Sequence, residues 1–205
     1  MTVATQALEV KLVGPAAGLE VDLLSLQGLW TVPQYLKITD STRHLIEFTT
    51  GALEILPMPT EQHQAILDFV HEAFRTWVRR IGGRARFAPL RLQLSADKFR
   101  EPDLLLLLDA RDPRRQNRFW RGADLVLEVV SPDDPERDLV VKRADYAAAG
   151  IPEYWIVNPL DETITVLILR DAAYVAHGVF RRGAPATSVL LAGFALDVAA
   201  VFDAD

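Results

Sequence analysis

The chain has 205 residues, half of them hydrophobic and 24% charged, which suits one α/β domain with a sizeable core. A formal net charge of −6 argues against a general nucleic-acid coat, which is basic, but leaves room for an enzyme that meets nucleic acid through a local patch. The absence of cysteine excludes disulfides and thiolate metal sites. No apolar run approaches the roughly 18 residues of a membrane span, and residues 1–10 lack the basic start and apolar stretch of a secretory signal, so a cytoplasmic protein without membrane contact is expected.

In chain order, residues 8–13 and 19–24 are short apolar stretches separated by Gly14, Pro15 and Gly18. They read as a strand pair or as an arm that packs on a partner. The division this suggests is an N-terminal arm or extra strands over residues 1–33 and one domain over residues 34–205. Two strand-like segments in residues 45–56 flank Thr50-Gly51 and predict a hairpin. Thr60 is a candidate helix N-cap with Glu61 in the first turn, and Ile66, Phe69, Val70, Ala73, Phe74, Trp77 and Ile81 follow at helical spacing until Gly82-Gly83. Strands are expected over residues 86–95, 103–109 and 124–130, the last two apolar enough to be buried on both faces. A helix over residues 135–149 stops at Gly150 with Pro152 beyond, and strands at 153–157 and 163–169 surround the turn at Asn158-Pro159. The order predicts an α/β (α+β) domain with a mixed central β-sheet flanked by helices.

Glu128 carries the chemical information. It lies in Leu125-Val126-Leu127-Glu128-Val129-Val130, with Val126 and Val130 at the alternate positions. A carboxylate there is protonated, paired or bound to a cation, because left alone it costs several kcal/mol. Asp103 raises the same question at the head of a leucine run. Taken singly, each residue also has a plainer reading: Asp103 as a turn residue, Glu128 in a buried ion pair with an arginine, and Lys142 in an exposed bridge to Asp138 one turn earlier. Two acids on adjacent central strands can converge on a hard cation such as Mg2+ or Mn2+. Two arginine groups, Arg75, Arg79, Arg80, Arg84 and Arg86, and Arg111, Arg114, Arg115, Arg118 and Arg121 beside Phe119 and Trp120, read either as phosphate- and base-gripping patches or as solvated surface.

The order Glu101-Pro102-Asp103, Glu128-Val129-Val130, Lys142 resembles the Uma-two family of restriction-endonuclease-like proteins, a branch of the PD-(D/E)xK nuclease superfamily. The likeness spans roughly residues 34–202. It includes the segment from Pro57 to Gln64, the run Glu128-Val129-Val130-Ser131-Pro132, residues 138–142, Tyr146, and Gly150-Ile151-Pro152-Glu153-Tyr154-Trp155-Ile156-Val157 with Asn158-Pro159. The resemblance implies a restriction-endonuclease-like core in which Asp103 and Glu128 ligate the metal and the Val129 carbonyl completes the protein's share. It implies that Lys142 replaces the lysine the superfamily carries two residues after the acid, where this chain has Val130. Glu47 matches a further acid and candidate ligand, and His63 matches a family histidine, though its spacing with Ile66, Leu67 and Val70 equally suits a packing role. The hairpin turn departs from the family's Asp-Gly in having Thr50-Gly51.

The resemblance implies Mg2+- or Mn2+-dependent hydrolysis of DNA phosphodiester bonds, with Asp103, Glu128 and Lys142 as the catalytic core. Two alternatives stand beside it: a catalytically silent interaction module that keeps the nuclease fold, and hydrolysis of a small phosphodiester. Homodimerisation is expected from the N-terminal apolar stretches and from a strand at 163–169 near the sheet edge.

Overall fold

The computed structural model describes residues 26–205 and the backbone of two N-terminal strands. Those strands, β1 (Glu9–Leu12) and β2 (Leu19–Asp22), pair antiparallel, as the first of the two readings of this segment anticipated. Thr31 caps α1 (Val32–Thr39) in a capping box with Gln34, so the helix begins two residues before the expected domain start. The expected hairpin is β3 (Ile46–Thr49) and β4 (Ala52–Ile55). Its turn residues Thr50 and Gly51 both have positive φ, and a Cβ on Gly51 would lie 2.5 Å from the Gly28 carbonyl oxygen. Only glycine lets residues 28–30 dock here through the Gly28 and Trp30 N–H groups on the Gly51 carbonyl.

Thr60 caps α2 (Glu61–Arg80), whose Ile66, Leu67, Val70, Phe74 and Val78 form the buried face. The chain continues through β5 (Arg84–Phe87), β6 (Leu92–Ser95), β7 (Lys98–Arg100), β8 (Leu104–Leu107) and β9 (Leu125–Val129). The single strand expected over residues 86–95 is therefore two strands in different sheets. Pro89 offers no N–H to a ladder, and the Leu92–Leu94 alternation belongs to the second piece. A π-helical turn (Arg137–Val141) leads into α3 (Lys142–Ala148), followed by β10 (Glu153–Asn158), β11 (Thr163–Arg170), β12 (Ala173–Arg181), β13 (Pro185–Thr187), β14 (Ala195–Asp197) and α4 (Val198–Phe202).

The central sheet has the order β12-β11-β10-β9-β8-β5, antiparallel except for the β9–β10 pair. A second sheet runs β4-β3-β7-β6. On one face of the central sheet α2 and the C-terminal Phe194, Leu196 and Val201 cover Leu104, Leu106, Leu125, Leu127 and Trp155. On the other, Trp120, Tyr146 and Ile151 cover Leu105, Leu107, Val126 and Tyr154. Burial on both faces is why β8 is an unbroken leucine run. The strand at 163–169 is near the edge, one strand in, and β12 pairs along its whole length. The turn between them uses Asp171 and Ala172 at positive φ, without the Asn-Gly or Asp-Gly signal that marks such hairpins. No helix among the described residues is long and apolar enough to cross a membrane.

Candidate active site

Register brings the two acids together. Leu104 lies opposite Leu127 across the β8–β9 ladder, so one step further out Asp103 lies opposite Glu128. The Asp103 N–H donates to Glu128 Oε2 at 3.4 Å, and the Val129 N–H donates to Asp103 Oδ2 at 2.8 Å. Strand alternation sends Glu128 to the same face as Val126 and Val130, beneath α3.

Lys142 arrives there from the first position of α3. Its Nζ lies 3.0 Å from Glu128 Oε2, 3.1 Å from Asp138 Oδ1 and 3.7 Å from Glu47 Oε1. The bridge to Asp138 is thus buried, not the exposed pair its spacing suggested; both side chains are 5% exposed. The π turn explains this, because the Lys142 N–H bonds to the Arg137 carbonyl five residues back. That geometry turns Asp138 and Lys142 inward and leaves Leu139, Val140 and Val141 at the surface. The partner of Glu128 is a lysine rather than an arginine.

Behind this pair stands a second layer of charge. Arg100 Nη1 lies 3.2 Å from Glu47 Oε2, and its other nitrogens bind Asp145, which also pairs with Lys98. The Glu101 N–H donates to Glu47 Oε1 at 3.1 Å. The Tyr146 hydroxyl donates to Glu128 Oε1, and the Tyr154 hydroxyl donates to the Asp138 carbonyl at 2.9 Å. Burial, joined by the nearby Asp103 and Asp138, pushes the Glu128 carboxyl well above the usual carboxylate range despite the pull of Lys142. Burial also works against the Lys142 cation, but Glu128, Glu47, Asp138 and Asp103 outweigh it and hold its pKa above the ordinary value. Lys142 is therefore held as a cation.

Asp103, Glu128, Val129, Asp138, Lys142 and His63 line a cavity of about 310 Å³. His63, on the first turn of α2, places Nε2 3.2 Å from Asp103 Oδ2. Burial lowers the His63 pKa, and the Asp103 carboxylate more than reverses this, for a net rise. Both side-chain bonds to Asp103 fall on Oδ2, which leaves Oδ1 free of described donors. Glu47 lies behind the cavity wall, between Arg100 and Lys142. Among the described residues no group of three or more His, Asp or Glu side chains is arranged to hold a metal ion. Two adjacent carboxylates still match Mg2+ or Mn2+, which keep several waters and take further oxygens from a phosphate.

Sequence reasoning passed over Arg100 and Asp145, and took Asp138 only as an exposed partner of Lys142 and Tyr146 only as part of the family likeness. The spacing of Asp138, Lys142, Asp145 and Tyr146 on one helical face was the available signal. Glu153 is buried on the opposite face, where it accepts from Ser188 Oγ, Trp155 Nε1 and the Val189 and Leu190 N–H groups, a structural clamp on the C-terminal loop. The arginine groups divide as well. Arg75, Arg111, Arg114 and Arg118 pair with Glu72, Asp109, Asp112 with Asp124, and Asp40 respectively. Trp120 is buried and Phe119 packs edge-on against Phe99, so these aromatics are not the exposed stacking surface the sequence suggested.

A mixed sheet with two facing strand acids, a helix-borne lysine and α2 across the back defines a restriction-endonuclease-like nuclease fold. A solved structure described as a putative nuclease belonging to DUF820, from Anabaena variabilis, matches with a TM-score of 0.64 at 20% identity, covering 82% of this chain and 96% of that one. No curated protein matches. The family profile Uma2, described as “Putative restriction endonuclease”, matches residues 32–199, and the chain belongs to that family.

Proposed function

We propose that this protein is a metal-dependent endonuclease that hydrolyses DNA phosphodiester bonds. One observation carries the reading: two carboxylates from facing strands and a buried lysine cation meet on the wall of a single cavity. Asp103, Glu128 and the Val129 carbonyl would hold Mg2+ or Mn2+. When bound, such an ion neutralises phosphoryl oxygens and acidifies a water. His63 fixes the orientation of the Asp103 carboxylate through its bond to Oδ2. Lys142 donates to the non-bridging oxygens as negative charge builds on them, and Glu47 and Asp138 hold its Nζ in place. Glu47 acts on Lys142 rather than on the ion.

The silent interaction module draws on a different observation. Both Glu128 oxygens already receive donors, Lys142 and Tyr146, so the carboxylate is satisfied without a metal. Plasmid and oligonucleotide nicking with Mg2+, Mn2+ and chelator separates the two. Wild type should nick DNA only with the metal, and Asp103→Asn and Glu128→Gln should bring nicking to background. Calorimetry should show weak ion binding that Asp103→Asn removes. Activity that survives both substitutions would sink the assignment, and absence of both ion binding and nicking would favour the module.

A further inference from the structure

A second cavity, about 530 Å³, adjoins the first, and the two share Phe87, Ala88 and Pro89 as a common wall. Its other lining residues include Arg86, Arg115, Gln116 and Trp120. Arg86 comes from β5 and Arg115 from the loop before β9, so one member of each arginine group arrives at the same cleft. Their side chains bond only to backbone carbonyls, Arg86 to Ala85 and Arg115 to Ala110, and neither pairs with a described carboxylate. Both residues are exposed, and so is Phe87, at 50%, with its ring packed edge-on against His71.

The cleft is tied rigidly to the acids. The Ala88 N–H donates to the Asp103 carbonyl at 3.0 Å, and Arg86 lies two residues back along the same strand. Two residues of strand span about 7 Å, close to the rise of two stacked nucleotides. Burial and the neighbouring Arg115, Arg84 and Arg79 lower the Arg86 pKa, the signature of cations gathered without counter-charge. Folding leaves this repulsion in place on a protein that is acidic overall, which a polyanion would relieve.

We infer that this cleft seats the DNA strand flanking the scissile bond, with Arg86 and Arg115 on successive phosphates and Phe87 stacked on a base at the passage into the acidic cavity. The inference rests on the nuclease reading and adds the path by which substrate enters. Neutralisation at Arg86 and Arg115 lets a polyanion approach a cavity that is itself lined by carboxylates. The exposed Phe87 face takes any base, so stacking holds position without reading sequence.

The test is DNA binding in chelator, where no cleavage intervenes, by fluorescence anisotropy across a salt series on the full chain. Arg86→Gln with Arg115→Gln should lower affinity for duplex and single-stranded DNA about tenfold and reduce the log–log salt slope by roughly two, one for each phosphate no longer neutralised. Arg86→Lys should keep the slope. Phe87→Ala should weaken single-stranded DNA binding about tenfold with the slope unchanged. Arg181→Gln, on β12 at the opposite edge of the sheet, is the control and should bind as wild type. Thermal unfolding of each variant shows whether the fold is kept. Wild-type affinity and slope in the double variant, or an equal loss in Arg181→Gln, would overturn the cleft while wild-type nicking left the active site standing. Wild type that neither binds nor nicks DNA would overturn both.

Discussion

At the scale of single residues, Lys142 determines how its own role can be tested. Its cation faces Glu128, Asp138 and Glu47, so Lys142→Met removes transition-state charge and also takes the cation from buried Glu128 and Asp138, while Glu47 keeps Arg100. We expect nicking to fall roughly 10²–10³-fold and stability to fall by roughly 3–5 kcal/mol, read by denaturant unfolding. Lys142→Arg keeps the charge and should restore most of the stability; if it is as unstable as Lys142→Met, the pairing is not what holds the helix. Glu101 gives a pH signature of its own. Burial first, then the Glu47 charge, pushes its carboxyl up to about 8, and its Oε2 is buried without a hydrogen-bond partner. The folded state therefore keeps a proton that the unfolded chain releases near the ordinary glutamate value of 4.5. That stabilisation is complete below the unfolded pKa and is lost as pH rises through the folded one. Chelator-treated protein should lose melting temperature across this window, and Glu101→Gln should flatten the decline; an unchanged slope in the variant would place the effect elsewhere.

At the scale of elements, the site depends on three joints. The first is α2 on the sheet, where Phe74 stands edge-on to Trp155 at 5.2 Å and against Phe194 at 4.4 Å. Phe74→Ala should cost about 3–5 kcal/mol in a urea or guanidinium titration; a loss under about 1 kcal/mol would mean the aromatic cluster is not a structural centre. The second is the β3–β4 turn. Gly51→Ala forces a Cβ against the Gly28 carbonyl and should release residues 28–30 to protease, which limited digestion with mass spectrometry would detect. Wild-type digestion kinetics would contradict that docking. The third is the π turn into α3. Tyr146 lies beyond it on the face that carries Asp138, Lys142 and Asp145, and Tyr146→Phe removes the donor to Glu128 Oε1 without a large change of shape. Leaving that oxygen bare should cost about 1–3 kcal/mol.

At the scale of the whole molecule, the π turn has a consequence on the outside. By turning its polar residues in, it exposes Leu139, Val140 and Val141, the last two by 61% and 50% respectively. Leu139 and Val140 line a shallow hollow with Ala147, Ala148, Ala172 and Ala173. Homodimerisation was expected from the N-terminal apolar stretches and from the strand at 163–169; we propose that it uses this apolar ridge instead, since β12 covers that strand. Sedimentation at micromolar concentration should show a dimer that Val140→Asp converts to monomer; a wild-type monomer would remove the idea and leave the catalytic reading untouched.

Asp103 became a candidate through the residue order that resembles the family, but local pattern alone determined α2, the β3–β4 hairpin, the doubly buried β8 and β9 and the out-of-place charge of Glu128. Each is written in spacing, capping or an out-of-place charge within a few consecutive residues. The break at Pro89 and the β12 hairpin turned by Asp171-Ala172 were not legible, because no run of neighbours encodes them. They depend on which sheet a segment joins and which backbone conformation its partners impose. Arg100 behind Glu47, and Arg86 beside Arg115, are further still from local signal, for they join residues 53 and 29 positions apart. Sequence can nominate a charge for chemistry, but only the packed sheet decides which charges share a cavity. Burial makes their interaction strong there, and only the fold brings distant residues within reach of one another.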